Sequence, residues 1–494
     1  MPTHDPSTSL YTCAQVRAID RAATDRCGVA GFELMQRAAT AAFASLRRRW
    51  PGASRIGVLA GAGNNGGDAF LLARLALQEG LRVDLLALTA TSRGDAAQAR
   101  AAFAEAGGRA RLADAESALP DGEVLVDGLF GTGLVRPLDG LAALLVGRIA
   151  GVPVLALDVP SGLDADTGAR TGPCVRADAT VSFVGWKRGQ FTADASDQCG
   201  VRELATLELP AEAYEGIAAD AELVDTRIGC ELPRRHANSN KSSFGHVLAL
   251  GGDEGFGGAI RLTGEAALRC GAGLVSIATR AAHVVAITAA RPELMARGID
   301  DAVALAPLLE RASVLALGPG LGLRDWGRAL FEAALASGKR LVVDADALNL
   351  LAEMPRPLPP VVVLTPHPGE AARLLGCDAA AVQRDRFAAA RELARKYAAV
   401  VVLKGAGSLV ASPDGRIAVC PWGNPGMASA GMGDVLTGVV AALLAQGCDA
   451  WAAARLGVAL HARAGDVAAD AAPRGLVASD LFPPLRRLVN AGAA

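Results

Sequence analysis

The chain has 494 residues, of which 51% are hydrophobic and 20% are charged, and its formal net charge is −2. This length exceeds what one hydrophobic core usually serves, so we expect two or more domains. The near-neutral charge argues against the basic surface typical of proteins that bind nucleic acid or anionic membranes, and we expect neither as a partner.

The cysteines and the N-terminus indicate the compartment. Nine cysteines are scattered without a CxxC pair, and the first residues, MPTHDPSTSL, do not resemble a signal peptide. No apolar run approaches the ~20 residues that span a bilayer. We therefore expect a cytoplasmic protein without a disulfide framework or a cysteine-ligated zinc site.

Helical and apolar segments alternate through the first half. Helices are predicted after Thr12, from Gly31 to Trp50, from Ala69 and near 95–106. Strands are predicted at 55–60, 82–88, 123–130 and 153–159, and possible extensions of the sheet at 179–184 and 202–209. Continuously apolar strands separated by helices are typical of a parallel sheet covered on both faces. The pattern predicts a doubly wound, Rossmann-like α/β domain.

A second α/β series follows a change in composition. Between Ala211 and Asn240 the chain becomes acidic and then basic and polar, which places a domain boundary near 215–235. Strands are then predicted at 246–252, 274–279, 313–320, 340–346, 361–367 and 399–405, with a hairpin at 408–420. We expect two α/β domains, spanning 1–220 and 225–494.

Three predicted strand ends of the first half carry glycines and polar side chains. They are GAGNNGGDAF (61–70), DGLFGTGLVRPL (127–138) and DVPSGLDADTG (158–168). Because parallel strands present their carboxyl ends at one edge of the sheet, Asn65, Asp127, Asp158 and Ser161 are expected to lie together at a ligand site. Asp127 alone could instead be a helix cap or a turn former, and Lys187 in FVGWKRGQ is a candidate charge partner.

Together with GWKRG, these motifs resemble the YjeF N-terminal family, the NAD(P)H-hydrate epimerases, over about residues 10–215. The resemblance implies an isomerase that interconverts the R and S hydrates of NADH and NADPH, with Asp158 as the acid/base. It also implies a potassium ion held by Asn65, Asp127 and Ser161. The residues expected to line the hydrate are Asn64, Asn65, Gly66, Gly67, Asp68, Gly131, Thr132, Gly133, Leu134, Val135, Arg136 and Pro137. The early MQRAATAA (35–42) departs from the family's usual start.

The most specific pattern of the second half is GNPGMASAGMGDVLTG (423–438), a glycine-rich loop that leads to a helix predicted to begin at Asp434. Amides at a helix N-terminus favour a phosphoryl group, and an aspartate there can accept a proton from an attacking hydroxyl. LKGAGSLV (403–410) places Lys404 before a flexible turn that suits nucleotide phosphates, and TPHPGE (365–370) places His367 at a strand-to-helix turn.

These motifs resemble the ribokinase-like superfamily and, more closely, the YjeF C-terminal domain, an ADP- or ATP-dependent NAD(P)H-hydrate dehydratase, over about 225–490. The resemblance implies a lyase that takes ADP or ATP as co-substrate with Mg²⁺ between the phosphates, and Asp434 as the catalytic base. Residues Lys404, Gly405, Ala406, Gly407, Ser408 and Gly433 are expected at the nucleotide. Residues Ala259, Gly320 and His367 are expected, with Asp434, at the hydrate.

The two resemblances predict a bifunctional enzyme that repairs hydrated NADH and NADPH (NADHX and NADPHX), expected as a homo-oligomer. Two rival interpretations remain open at the level of sequence. One is a small-molecule kinase fused to a dinucleotide-binding regulatory domain, and the other gives the first domain only a scaffold role.

Overall fold

The computed structural model describes residues 5–134, 136–224, 232, 234–470 and 472–490. The chain forms two compact units that divide after Glu222. Among the described residues, no helix is both long enough and apolar enough to cross a membrane.

The first unit alternates strands and helices as the hydrophobic pattern predicts. Its elements are β1 Ser9–Tyr11, α1 Cys13–Asp25, α2 Gly31–Arg49, β2 Arg55–Ala60, α3 Asn64–Gln78, β3 Arg82–Ala87, α4 Gly94–Glu105, β4 Ala110–Leu112, β5 Val124–Gly128, α5 Gly140–Gly147, β6 Val154–Leu157, β7 Ala179–Phe183, β8 Trp186–Lys187, α6 Ala195–Gln198, β9 Val201–Ala205 and β10 Ala221–Leu223.

Seven of these strands form one sheet in the order β4-β3-β2-β5-β6-β7-β9, and all of its neighbours are parallel. Side chains alternate across it: Val58 and Ala60 join the core on one face, whereas Leu59 joins the core on the other. Strand order reverses between β2 and β5, which is where an open α/β sheet forms its ligand crevice. The predicted doubly wound architecture is confirmed.

The second unit has a longer series. Its elements are β11 His246–Leu250, α7 Gly257–Arg269, β12 Leu274–Thr279, α8 Ala281–Ala290, β13 Met295–Gly298, α9 Ala302–Arg311, β14 Val314–Leu317, α10 Asp325–Ala336, β15 Arg340–Val343, α11 Ala345–Glu353, β16 Val362–Leu364, α12 Pro368–Leu375, α13 Ala379–Arg384, α14 Arg386–Tyr397, β17 Val400–Leu403, β18 Leu409–Ala411, β19 Ile417–Val419, α15 Met432–Ala445, α16 Ala450–Ala469 and α17 Phe482–Leu488.

Its strands follow the order β13-β12-β11-β14-β15-β16-β17-β18-β19. The first seven are parallel, and β18 and β19 are antiparallel additions joined by the predicted turn. The order reverses between β11 and β14, so a second crevice is expected at their carboxyl ends. Helices α7, α15 and α16 pack their buried residues on one face of this sheet.

Two predicted helix starts are wrong. Helix α3 begins at Asn64 instead of Ala69, so the NNGGD sequence is the first turn of the helix and not a loop before it. Helix α15 begins at Met432, with Gly431 as its N-cap, and Asp434 lies within its first turn. Glycine content suggested loops at both places, whereas the helical glycines serve close packing.

Gly66 shows the packing reason clearly. A Cβ atom at this position would lie 2.0 Å from the carbonyl oxygen of Gly61, and that oxygen belongs to the backbone and cannot rotate away. Gly67 faces Met35 of α2, where a Cβ atom would lie 2.5 Å from the sulfur. The glycines therefore allow α3 to start directly against the end of β2.

We predict that Gly66→Ala destabilises the first unit by about 2–3 kcal/mol, because a methyl group must displace backbone. The melting temperature of that unit should fall by about 4–12 °C. Differential scanning calorimetry measures this, and Gly63→Ala is the matched control because a Cβ atom there meets nothing within 4 Å. Equal melting temperatures for the two variants would contradict the packing argument.

Candidate functional sites

The first unit contains a cavity of about 760 Å³ at the carboxyl ends of β2 and β5. Its lining includes Arg17, Asp20, Asn64, Asn65, Asp68, Phe130, Gly131, Thr132, Gly133, Asp158 and Lys187. Three sequence-distant strand ends therefore meet here, as the motif positions predicted. The volume suits a small organic ligand.

Asp158 and Lys187 form a buried ion pair in this cavity. The Lys187 ammonium is fully buried and donates to the Asp158 carboxylate, to Oγ of Ser182 at 3.1 Å and to the carbonyl of Phe183 at 2.7 Å. A buried charge is tolerated only when it is paired and hydrogen-bonded. Lys187, which the sequence offered only as a candidate partner, thus supplies the counter-charge for Asp158.

The backbone fixes where the Asp158 carboxylate points. Asp158 has a φ of 64°, in the left-handed region that few non-glycine residues adopt. Its N–H donates to the Val181 carbonyl at 2.8 Å, and its own carbonyl accepts from the Gln190 amide at 2.8 Å. Hydrogen bonds on both sides hold the carboxylate at the cavity wall.

Asp127 is fully buried and joins two of the strand ends. Its carboxylate accepts from the Ser161 N–H at 2.8 Å, the Ser161 hydroxyl at 2.7 Å and the Leu129 N–H at 3.2 Å. Burial raises the pKa of Asp127 to about 6, although these hydrogen bonds act in the opposite direction. Ser161 also accepts from the Phe130 N–H at 3.0 Å, so it ties Asp127 to the loop after β5.

Asn65 contributes polar atoms that no protein group satisfies. Its side-chain oxygen and nitrogen are both buried and have no hydrogen-bond partner among the described residues. A Cβ atom on Gly131 would lie 3.4 Å from Oδ1 of Asn65 and 3.1 Å from Oδ2 of Asp158, so all three strand ends approach one point. Buried amides normally find partners, so this one indicates a place for a ligand or an ion.

Two further carboxylates face the same cavity. Burial raises the pKa of Asp68 well above its usual range, and the nearby Asp158 and Asp20 carboxylates raise it further. Burial also raises the pKa of Asp20 to about 6, partly offset by Lys187. Asp20 lies on α1, and the sequence analysis missed it because one aspartate on a helix carries no local signal.

The remaining residues predicted to face the hydrate are placed differently. Gly66 and Gly67 are buried in helix packing, Leu134, Arg136 and Pro137 lie outside the cavity lining, and Val135 lies outside the described residues.

The second unit has its own buried ion pair at the end of β15. Asp344 accepts from Nζ of Lys404 at 2.6 Å and from the Thr437 hydroxyl at 2.8 Å. Burial raises the pKa of Asp344, but Lys404 and the hydrogen bonds lower it more, and the net pKa lies below the usual range. A Cβ atom on Gly433 would lie 3.3 Å from Nζ of Lys404, so the predicted nucleotide residues Lys404 and Gly433 do meet.

Asp434 stands beside this pair in the first turn of α15. Burial raises the pKa of Asp434 to about 6, Asp344 adds to the effect, and Lys404 opposes it. A carboxylate with a pKa near neutrality at a helix N-terminus is suited to accept a proton.

His367 begins α12 and forms a capping box with Glu370. The His367 ring accepts from the Gly369 N–H at 3.0 Å, and Oε2 of Glu370 accepts from the His367 N–H at 2.8 Å. The same Glu370 oxygen lies 3.8 Å from Nζ of Lys404. His367 is half exposed, and its loop is thereby fixed next to the Lys404 ion pair.

Gly320, which follows β14, approaches Phe256 at the start of α7, the helix that follows β11. A Cβ atom on Gly320, where φ is 59°, would lie 2.5 Å from Cβ of Phe256, which immediately precedes α7. The Thr263 hydroxyl lies 3.2 Å from the Ala259 carbonyl and 3.0 Å from the Asp434 carbonyl. Thr263 therefore links the backbone of Ala259 to that of Asp434.

The turn of residues 404–408 is held by hydrogen bonds within it and by a buried arginine. Ser408 and Gly405 exchange hydrogen bonds of 3.2 and 2.9 Å, which closes the turn. Arg386, which is 1% exposed, donates to the carbonyls of Leu403 and Lys404 at 3.1 and 3.2 Å. Asp344, Thr437 and Arg386 were all missed from sequence because their partners lie far away in the chain.

Two family models match this chain. Residues 31–189 match the model described as YjeF-related protein N-terminus, and residues 247–487 match the model described as NAD(P)H-hydrate dehydratase. A hypothetical protein of known structure from Streptococcus mutans is 28% identical, covers 55% of this chain and 100% of its own, and aligns with a TM-score of 0.52.

Relatives match almost the whole chain. The bifunctional NAD(P)H-hydrate repair enzyme of Coxiella burnetii is 46% identical over 490 residues, which is 98% of this chain and 100% of that protein. The enzyme of the same description from Escherichia coli K12 is 41% identical over 500 residues, covering 99% and 95% respectively. Both halves therefore have the same kind of relative, and the chain belongs to the family of bifunctional NAD(P)H-hydrate repair enzymes.

Proposed function

We propose that the first unit epimerises the R and S hydrates of NADH and NADPH and that the second dehydrates the S hydrate with ADP or ATP. One observation carries the proposal: each unit places a buried aspartate–lysine pair at the carboxyl edge of its own parallel sheet. We assign the epimerase to residues 1–220 and the dehydratase to 225–494. A homo-oligomer in the cytoplasm stays a prediction.

Dehydration needs a better leaving group than hydroxide. In the proposed step the hydroxyl oxygen of the hydrate attacks the terminal phosphorus, the bond to the leaving nucleotide oxygen breaks, and Asp434 takes the hydroxyl proton. The C–O bond then breaks with its electron pair on phosphate, while the neighbouring ring carbon loses a proton to solvent and the C–H electron pair forms the ring double bond. Ala259, Gly320 and His367 are proposed to position the ring for this elimination.

The phosphates are proposed to lie between the 404–408 turn and the start of α15. The Lys404 ammonium and the amides before Met432 supply positive charge there, and Gly433 leaves room for close approach. Within the described part of the chain, no three His, Cys, Asp or Glu side chains are grouped to bind a metal ion. Mg²⁺ would therefore be held mainly by the phosphates, whose charge it would neutralise.

Epimerisation is assigned to Asp158 as the acid/base, with Lys187 as a positioning residue that balances its charge. The first turn of α3 (64–68) and the loop at 131–137 are proposed to bind the hydrate. Asp20 and Asp68 face the same cavity, so the ligand meets several carboxylates and one ammonium.

A potassium ion fits the residues beside this site. Asn65 has an unsatisfied buried carbonyl oxygen, Ser161 adds a hydroxyl and Asp127 a carboxylate, which is an oxygen-only set with one formal charge. We propose that Asn65, Asp127 and Ser161 hold the ion. It would order the loops around Asp158 and supply no acid or redox chemistry.

The division of labour is tested with two single variants. Asp158→Asn should abolish epimerisation and leave dehydration of the S hydrate intact, while Asp434→Asn should do the reverse. Loss of an acid/base group commonly costs ~10²–10⁴-fold in rate. Each rate is measured on separated R and S hydrates, by chromatography for epimerisation and by recovery of dihydronicotinamide absorbance for dehydration.

Asp178→Asn and Asp449→Asn are suitable controls, because both aspartates lie outside the proposed active sites: Asp178 accepts from the Val154 N–H, and Asp449 is the N-cap of α16. If Asp434→Asn dehydrated the S hydrate at the rate of the unmodified enzyme, Asp434 would not be the base. If both single variants lost both activities, the assignment of one reaction to each unit would be wrong.

The raised pKa of Asp434 predicts an acid limb in the dehydration rate. A base must be deprotonated to act, and its pKa is about 6, so kcat should fall roughly tenfold per pH unit well below pH 6. The rate is measured from pH 4.5 to 8 at saturating nucleotide and hydrate. A flat profile between pH 4.5 and 6, with the protein still folded, would contradict the assignment.

Potassium should support epimerisation but not dehydration. Replacing potassium by a bulky organic cation should slow epimerisation and lower the melting temperature of the first unit, and Asp127→Ala should remove both responses to potassium. The readouts are the epimerisation rate and calorimetry across a potassium titration. Identical rates and melting temperatures with and without potassium would exclude the ion.

A further inference from the structure

A second cavity of about 630 Å³ lies in the second unit, away from Asp434. Its lining comes from the last turns of α7 and α17, from the residues that follow α7, α8, α15 and α17, and from residues 232, 234 and 235 before β11. Its charged lining consists of Arg234, Arg235, Arg269, Arg291, Arg486, Glu265 and Glu293. Neither proposed reaction uses any of these residues.

The charge of this lining is strongly unbalanced. Among the described lining residues, five arginines face two glutamates, a net charge of +3 in a chain whose total is −2. Glu265 is 3% exposed and is shared by Arg291, by Arg269 at 3.6 Å and by Arg261 at 3.0 Å. One carboxylate cannot neutralise three guanidinium groups.

Hydrogen-bond donors remain unused around the cavity. The Nε atom of Arg291 is buried and has no partner, and the Arg486 side chain makes no hydrogen bond or ion pair within the described residues. Arginine presents five N–H donors in a fixed fork that matches phosphate oxygens. Because N–H donors are unused and the lining carries excess positive charge, an anion would bind favourably here.

Capping of helix ends does not account for all the arginines. Arg235 already donates to the Gly271 carbonyl, and the Gln446 amide donates to the Cys270 carbonyl at 2.9 Å, so the end of α7 is satisfied. Arg269, Arg291 and Arg486 are additional to these contacts. Their charge exceeds what the partial negative charge of the helix ends requires.

Two helices connect this cavity with the proposed dehydratase site. Helix α7 begins beside Ala259 and ends at Arg269, and helix α15 carries Asp434 in its first turn and ends beside Gln446. Thirteen or fourteen residues of helix span roughly 20 Å. A ligand at one end therefore contacts the same rigid elements that hold the catalytic groups at the other.

We propose that this cavity is a second ligand site that binds a phosphate-bearing anion and influences dehydration through α7 and α15. The volume accommodates a compound of nucleotide size. Binding itself is independent of the proposed function, whereas the influence on dehydration rests on it.

The test is isothermal titration of inorganic pyrophosphate, and separately of ADP, into the full-length protein. Arg486→Ala should weaken one pyrophosphate site by ~10-fold or more, because a charge-assisted phosphate contact is lost. Arg487→Ala is the matched control: it removes an exposed arginine of the same helix that does not line the cavity. Lys404→Ala should leave this site intact, which separates it from the proposed nucleotide site.

The ADP titration distinguishes a nucleotide from a smaller phosphate compound as the natural ligand. A second ADP site that Arg486→Ala weakens identifies a nucleotide, and a cavity site seen only with pyrophosphate identifies a smaller phosphate compound. The proposal is overturned if the protein binds pyrophosphate only at the site lost in Lys404→Ala, or if Arg486→Ala and Arg487→Ala bind it alike. Because Arg486 is exposed, its replacement should leave the melting temperature unchanged.

The influence on dehydration has its own measurement. Pyrophosphate or ADP at the cavity should change the KM for the S hydrate in the unmodified enzyme and in Arg487→Ala, but not in Arg486→Ala. If the anion binds but the KM does not change, the cavity is a ligand site that has no influence on dehydration. Failure of dehydration in every variant, with binding intact, would count against the proposed function instead.

Discussion

The Asp344–Lys404 ion pair is the contact on which the second site depends. Removing two charges from water is costly, and here the cost is offset by the close approach of the groups and by the Thr437 hydroxyl. The pair joins the end of β15 to the end of β17 and to the middle of α15. These three elements carry the nucleotide turn and the glycine loop, so their relative position is fixed before any ligand arrives.

The first unit also holds its site in place with a buried ion pair, but the pair comes from different elements. Asp158 directly follows β6 and Lys187 ends β8, and the lysine is completely enclosed by backbone and side-chain acceptors. In each unit the pair lies at the carboxyl edge of a parallel sheet. Sheet topology thus brings the groups together, and the ion pair holds them in place.

Sequence patterns were sufficient for the sheets and for the strand-end motifs. Strands such as 55–60 and 274–279 were predicted to the residue because buried parallel strands are continuously apolar. Short or exposed strands, such as β4 with its polar Arg111, carry no such pattern and were missed. Domain architecture therefore followed from hydrophobicity, while edge elements required tertiary contacts.

The sites were predictable only in part, for the same reason. Glycines that leave space for a ligand and glycines that leave space for another backbone look alike in sequence, and this is why Asn64–Asp68 was taken for a loop. Asp344 directly follows an ordinary strand, and no residue near it in the sequence indicates that Lys404, 60 residues away, is its partner. Partners that meet only in the folded state cannot be read from local spacing.

The left-handed backbone at Asp158 limits which side chains can occupy this position. Bulky and β-branched residues are disfavoured in this region, while aspartate, asparagine and glycine adopt it at little cost. A longer acid would keep the charge, but it would meet the same backbone restriction and place its carboxylate one methylene further out. The backbone conformation therefore restricts which amino acids can replace Asp158, independently of any requirement for catalysis.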